Sequence, residues 1–231
     1  MKIGIIGTGN IGGALTRRFT ALGHDVLIAN SRGPDSLRDL AAETGATAGT
    51  VHQAARHGEV VVVTIPENKI PHLPADLFAG VEDGVVVIDT GNYYPRQRDG
   101  RIEPIEDGMP ESVWVAEVLG RPVVKVFNNI YAKHLLEHGE PAGSDRRIAL
   151  PIAGDSKAAK EVVFALVDAI GFDPVDAGPL DESWRQQPGT PVYGTDFDAA
   201  GVHRALAMAN RTRTQDWIGT KNSPGDFVNP A

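Results

Sequence analysis

The stretch Gly7-Thr8-Gly9-Asn10-Ile11-Gly12 has residue types and spacing suited to binding phosphate. In a G-x-G-x-x-G turn the first glycine permits the tight bend and the second lets the backbone approach a pyrophosphate. The third lets a helix pack close to a strand. Free N–H groups and the positive end of that helix then hold the anion. A second set follows at Asn30-Ser31-Arg32. A site for NAD usually carries Asp or Glu at that point, accepting from the ribose 2′-hydroxyl. Here no carboxylate comes before Asp35. Ser31 can donate to a 2′-phosphate, and Arg32 can pair with it and stack on adenine. The alternative is an ordinary polar turn ahead of Gly33-Pro34. NADP(H) is the expected ligand.

These residues work only if a strand delivers them and a helix receives them. Residues 3–6 form a short apolar run that reads as a buried strand. Ile11, Ala14, Leu15, Phe19 and Leu22 then fall on one helical stripe, which Gly23 ends, and residues 25–29 form the next strand. Strand, glycine turn, helix and strand make one βαβ unit.

Further strands are expected at 46–48, 60–65, 85–88 and 123–127, and then at 148–153 and 172–177. Helices are expected over 36–44, 51–56, 72–78 and 114–119, after Asp155-Ser156, and near 199–211. This alternation predicts a doubly wound, mostly parallel α/β sheet. Residues 93–110 are polar and too long for a standard connection, and they read as a functional loop or mobile flap. A division into a nucleotide-binding domain, 1–145, and an extension completing the cleft, 146–231, is expected.

Ligands of open α/β sheets bind outside the carboxyl ends of the strands. That rule selects Gly7 to Gly12, Thr64-Ile65-Pro66, Thr90-Gly91-Asn92 and Asn128-Asn129. Asn92, Asn128 and Asn129 can orient a nicotinamide or a substrate carbonyl, or simply cap strands and turns. His134-Leu135-Leu136-Glu137-His138 matches H-x-x-E-H. The segment ends at Gly139-Glu140-Pro141 and offers no distant third ligand, so it reads as surface histidines and no metal is expected. No serine sits in a G-x-S-x-G elbow.

The 231 residues carry a net charge of −8 with both signs mixed, which argues against nucleic-acid and anionic-membrane partners. The chain has no cysteine, hence no disulfide, thiolate metal site or cysteine nucleophile. No apolar run approaches membrane-helix length, and a strand beginning at Lys2 leaves no room for a signal peptide. A soluble cytoplasmic protein is expected.

The glycine turn, Asn30-Ser31-Arg32, Thr64-Ile65-Pro66, the strand ending in Asn128-Asn129-Ile130, and Asp176-Ala177-Gly178-Pro179-Leu180 together resemble the NADP oxidoreductases related to coenzyme F-420-dependent NADP reductases. The nucleotide-binding domain of the STEAP-type metalloreductases is similar. The resemblance spans roughly residues 1–185. It implies a Rossmann domain, usually a homodimer, and hydride transfer between NADPH and a deazaflavin or flavin ring stacked on the nicotinamide. By position, Thr8, Gly9, Asn10 and Ile11 would line the pyrophosphate, Ser31 and Arg32 the 2′-phosphate, and Asn128, Asn129 and Ile130 the second ring. Two departures stand out. The deazaflavin reductases tend to carry histidine where Asn128 stands, with an Ile-Pro step at Ile130-Tyr131. The tail WRQQPGTPVY, 184–193, also differs from their apolar helical tail. Two other readings stay open. One is reduction of a small carbonyl or imine, with Tyr93, Tyr94 or Tyr131 as proton donor. The other is a non-catalytic NADP(H) sensor.

Overall fold

The computed structural model describes residues 1–223. Six strands form one parallel sheet in the order β3-β2-β1-β4-β5-β6. They are β1 (Lys2–Ile6), β2 (Asp25–Ala29), β3 (Thr47–Ala48), β4 (Val60–Val63), β5 (Val86–Asp89) and β6 (Val124–Lys125). The chain direction reverses at the β1–β4 boundary, which places a crevice at the carboxyl ends of these two strands. Helices α1 (Asn10–Ala21), α2 (Arg38–Thr44), α3 (Val51–Ala55), α4 (Glu103–Glu106), α5 (Glu111–Leu119) and α6 (Ala132–Glu137) connect the strands or follow them. The fold is a Rossmann-type α/β fold.

Both sheet faces are buried, so the strands read as continuous apolar runs. Ile3, Ile5, Val60, Val62, Val86 and Ile88 pack with Leu15 and Phe19 of α1 and Leu135 of α6. The alternate residues Ile6, Val61, Val63 and Val87 pack with Ala54 of α3 and Trp114 of α5. The first cluster continues into Leu150, Val163 and Phe172. Leu150 comes from β7 (Ala149–Ile152), Val163 from α7 (Lys157–Ala169), and Phe172 directly precedes β8 (Asp173–Asp176), ahead of α8 (Ala199–Met208). β7 and β8 pair in parallel as a second sheet, and an antiparallel bridge from Lys125 to Ala153 joins it to β6. Ser156 caps α7 by accepting from the Ala159 N–H at 3.2 Å.

Four expectations need correction. No helix forms over 72–78: a 3₁₀ turn, Glu67–His72, ends at Leu73, whose extended backbone is what a residue before Pro74 adopts. The sixth strand is only Val124–Lys125, because Phe127 has φ of +66°. That left-handed conformation costs a bulky residue about 1–2 kcal/mol, and it turns Asn128 and Asn129 away from the strand line. The last helix stops at Met208, short of residue 211. Residues 93–110 are folded rather than an open flap. They contain a wide helical turn, Pro95–Asp99, and α4. Tyr93 lies beneath them, fully buried, donating from its hydroxyl to Gly100 O at 2.9 Å and accepting from Ile102 N at 2.9 Å.

Candidate nucleotide site

At the carboxyl ends of β1, β2 and β4 a cavity of about 770 Å³ opens, lined by Gly7, Thr8, Gly9, Asn30, Ser31, Arg32, Thr64, Ile65 and Pro66. Nine of the residues selected from the sequence therefore share one cavity. Its floor is set by backbone contact. A Cβ on Gly7 would lie 2.2 Å from Thr64 O, and one on Gly12 would lie 2.0 Å from Gly7 O. Only bare backbone lets α1 start this close to the strands. Gly9, by contrast, has no atom within 4 Å of its Cβ direction, so its surface is open to a ligand.

The N-terminus of α1 fits a phosphate. Gly9 is its N-cap, no side chain caps it, and its first turn holds no acidic residue. Backbone donors and the positive helix end are left for an anion. Asn10 faces an adjoining cleft, with Arg17 and Tyr131. Ile11 packs against the core and Gly12 is buried, so these two shape the turn.

Asn30 organises the second set of residues. Its Oδ1 accepts from Arg32 N at 2.9 Å and its Nδ2 donates to Ser36 Oγ at 2.9 Å. This closes an Asx-type turn that presents Ser31 and Arg32, both exposed, to the cavity. Arg32 forms no ion pair among the described residues. Lys69 and His72 of the 3₁₀ turn also line the cavity, as does Thr50. Sequence reasoning missed them. The 3₁₀ turn has no apolar periodicity to draw attention to it, although the capping pair Thr50 and Gln53 was legible as T-x-x-Q.

At the ends of β5 and β6 the asparagines hold one another. Asn92 Nδ2 donates to Asn128 O at 2.9 Å. Asn128 Nδ2 donates to Asn92 Oδ1 at 3.1 Å and Gln186 O at 2.7 Å, and Asn128 Oδ1 accepts from Gln186 Nε2 at 2.9 Å. Asn129 is buried, and both its side-chain polar atoms lack a partner among the described residues. Thr90 is buried, with its N–H on Val63 O at 3.2 Å. None of these residues lines the cavity of the glycine turn; they form a separate polar network past the ends of β5 and β6, which Gln186, from the divergent tail, joins.

Next to that network lies a buried charge cluster that the sequence reading did not assemble. Asp89 Oδ2 accepts from Lys125 Nζ at 3.1 Å and Ser112 Oγ at 2.7 Å, while Asp89 Oδ1 accepts from Gly91 N at 2.8 Å. Lys125 Nζ also donates to Gly91 O at 2.5 Å. Glu67, fully buried, has neither oxygen partnered among the described residues, and Glu111 has one oxygen unpartnered. Burial pushes Glu67 far above the usual carboxylate range; Asp89 adds to this and Lys125 partly offsets it. Burial lifts Glu111 to about 7, eased by Lys125 and the Tyr93 N–H. Burial also opposes the Lys125 charge, but Asp89, Glu111 and Glu67 outweigh it and hold the ammonium above its ordinary value. The cluster is a Lys125–Asp89 ion pair flanked by two carboxyls whose protonated forms burial favours, Glu67 more strongly than Glu111.

The three tyrosines have different surroundings. Tyr93 is buried, with its hydroxyl already bonded to Gly100 O and Ile102 N. Tyr94 hydrogen-bonds Tyr193 hydroxyl to hydroxyl, and burial raises the pKa of both phenols. Tyr131 is 59% exposed. His134 and His138 do meet a third side chain, Asp196, with candidate ligand atoms within 4.8 Å of one another. The imidazoles stack 4.4 Å apart at 17°, so their in-plane lone pairs run nearly parallel instead of converging, and His134 Nδ1 already bonds Asp196 at 2.9 Å.

Comparison with known proteins agrees with this geometry. Residues 2–93 match the family described as NADP oxidoreductase, coenzyme F420-dependent. Over 78 residues the chain is 47% identical to protein YjhV of Escherichia coli strain K12, covering 33% of this chain and 57% of YjhV, less than two thirds of that relative. The crystal structure of hypothetical protein SMa0349 from Sinorhizobium meliloti superposes with TM-score 0.70 at 32% identity, over 85% of this chain and 95% of that one. A candidate F420-dependent NADP-reductase from Arthrobacter sp. FB24 shares the fold, with TM-score 0.62 and 22% identity over 78% of this chain and 86% of that one. No described helix is long and apolar enough to cross a membrane. Residues 2–93 therefore carry the likeness to the NADP oxidoreductase, coenzyme F420-dependent, family, and the Rossmann-type fold is shared beyond them.

Proposed function

We propose that the protein transfers a hydride between NADP(H) and a second ring cofactor, a deazaflavin of the coenzyme F-420 type or a flavin, placed over the nicotinamide. The observation that carries this reading is the cavity joining the glycine turn to Ser31 and Arg32. The bound nicotinamide supplies or accepts the hydride. The chain's own work is binding and orientation. The open N-terminus of α1 takes the pyrophosphate, with Thr8, Gly9 and Asn10 around it. Ser31 and Arg32 take the 2′-phosphate, and Lys69 and His72 add positive charge and donors. In this reading the Asn92–Asn128–Gln186 network, past the ends of β5 and β6, would orient the two rings. The resemblance further supports a homodimer acting on small-molecule or cofactor substrates; the net charge of −8 argues against nucleic-acid and anionic-membrane partners, and a cytoplasmic location belongs to the same proposal.

A second reading, reduction of a small carbonyl or imine, is favoured by one observation: Glu67 and Glu111 are buried carboxyls whose protonated forms burial favours, near the end of β5. Such a reduction takes up a proton with each hydride, and neutral carboxyls can supply it. The test is NADPH consumption followed by absorbance with oxidised deazaflavin, FMN, FAD and a panel of small carbonyls and imines. Rapid turnover with a ring cofactor supports the first reading. Turnover only with a carbonyl or imine, with a bell-shaped pH profile, supports the second. Tight NADPH binding without turnover would make the protein a sensor and overturn both.

A further inference from the structure

A second cleft, of about 150 Å³, lies apart from the nucleotide cavity, between the 3₁₀ turn Leu180–Gln186 with its following loop and the segment after α8. Tyr93 and Glu111 are on its inner side. Two donors lining it, Trp184 Nε1 and Gln187 Nε2, are buried and have no hydrogen-bond partner among the described residues. Two guanidiniums lie over the Trp184 ring, Arg185 at 4.8 Å and Arg211 at 4.9 Å from its centroid. Arg185 is neutralised by Glu182, and Arg213, also in the cleft, by Glu106 at 3.2 Å. Arg211 forms no ion pair among the described residues, which gives the cleft one uncommitted positive charge. Buried donors without a protein partner are costly, and two residues carrying them line the same cleft as a spare guanidinium, a set that matches an acceptor-rich anion.

We propose that this cleft binds a small carboxylate, its oxygens accepting from Trp184 Nε1, Gln187 Nε2 and Arg211. The class is limited by size and by chemistry. The cavity is below the roughly 300 Å³ of a drug-sized pocket, so a dinucleotide or tricyclic ring does not fit and a molecule of a few heavy atoms does. Glu111, with its unpartnered oxygen, faces the remainder of the molecule, where a carbonyl or imine nitrogen can accept from its neutral carboxyl. A small keto or imino acid satisfies both ends. The site stands without the hydride-transfer reading, which needs only the nucleotide cavity.

The test uses pyruvate, acetate and inorganic phosphate on the full-length protein labelled with ¹⁵N. The chain has three tryptophans, so three indole N–H resonances report. Pyruvate is expected to shift the Trp184 resonance saturably, with a Kd of about 1 mM or tighter, and to leave Trp114 in place. Arg211→Ala, at an exposed position, should weaken pyruvate about tenfold or more and leave NADPH affinity unchanged. Arg56→Ala, a distant arginine, should change neither. No saturable Trp184 shift, or an Arg211→Ala protein that binds pyruvate like the parent, overturns the proposal. Phosphate binding with no response to pyruvate or acetate overturns its carboxylate assignment. Loss of NADPH binding in the parent protein refutes the nucleotide reading instead, and leaves this one to be judged on the Trp184 resonance.

Discussion

Replacing Glu111 by glutamine should weaken the loss of stability that accompanies rising pH. In the folded chain Glu111 titrates near 7, pushed up first by burial. In the unfolded chain it returns to the ordinary glutamate value of about 4.3. Between these values the folded state holds a proton that the unfolded state has lost. Stability therefore falls as pH rises through this window, at about 1.4 kcal/mol per pH unit, and the loss levels off above pH 7. The whole loss is on the order of 3 kcal/mol, or roughly 6–12 °C in Tm for a domain of this size. Glu67, raised in the same direction, adds to it. Lys125 does not counter it, because its ammonium stays charged throughout. Glutamine keeps the shape and still accepts the Tyr93 N–H, but it cannot ionise. Thermal and urea unfolding of parent and Glu111→Gln, compared every half unit from pH 4.5 to 8.5, should give curves that converge at low pH and diverge as pH rises, the variant being the more stable above pH 7. Curves that stay parallel would refute the neutral-carboxyl account of the cluster.

Lys125→Met leaves Asp89 buried without its cation and should cost about 3–5 kcal/mol in urea unfolding; parent-like stability would mean that Asp89 is paired elsewhere. Gly12→Ala forces a Cβ to within 2.0 Å of Gly7 O, so the start of α1 must move. NADPH affinity should drop at least about tenfold, and isothermal titration of the variant beside the parent decides it. A variant that binds normally would show that the turn does not hold the pyrophosphate.

The nucleotide cavity was largely legible because its parts are local. Gly7 to Gly12 is contiguous, and Ser31-Arg32 sits at the end of an apolar run that can only be a strand. The strands could be read because both faces of the sheet are buried, which makes most of their residues apolar. The Glu67–Asp89–Glu111–Lys125 cluster was not legible, since each member comes from a different segment and meets the others only in the fold. A signal was present all the same: Lys125 stands inside the apolar run 123–127, and Asp89 ends another. A charge there must be paired or neutral. The helix expected over 72–78 failed on Pro71 and Pro74, whose local restriction outweighs the apolar spacing. Phe127 could not have been foreseen, because nothing in its type signals a positive φ.

The central claim, that the cavity between the glycine turn and Arg32 is built for a 2′-phosphorylated dinucleotide, is tested most directly by titrating the protein with NADPH and NADH and following nicotinamide fluorescence. The account predicts NADPH binding at least about tenfold tighter than NADH, and Arg32→Ala removing most of that preference by weakening NADPH alone. Equal affinity for the two nucleotides, or equal weakening of both by Arg32→Ala, would contradict it.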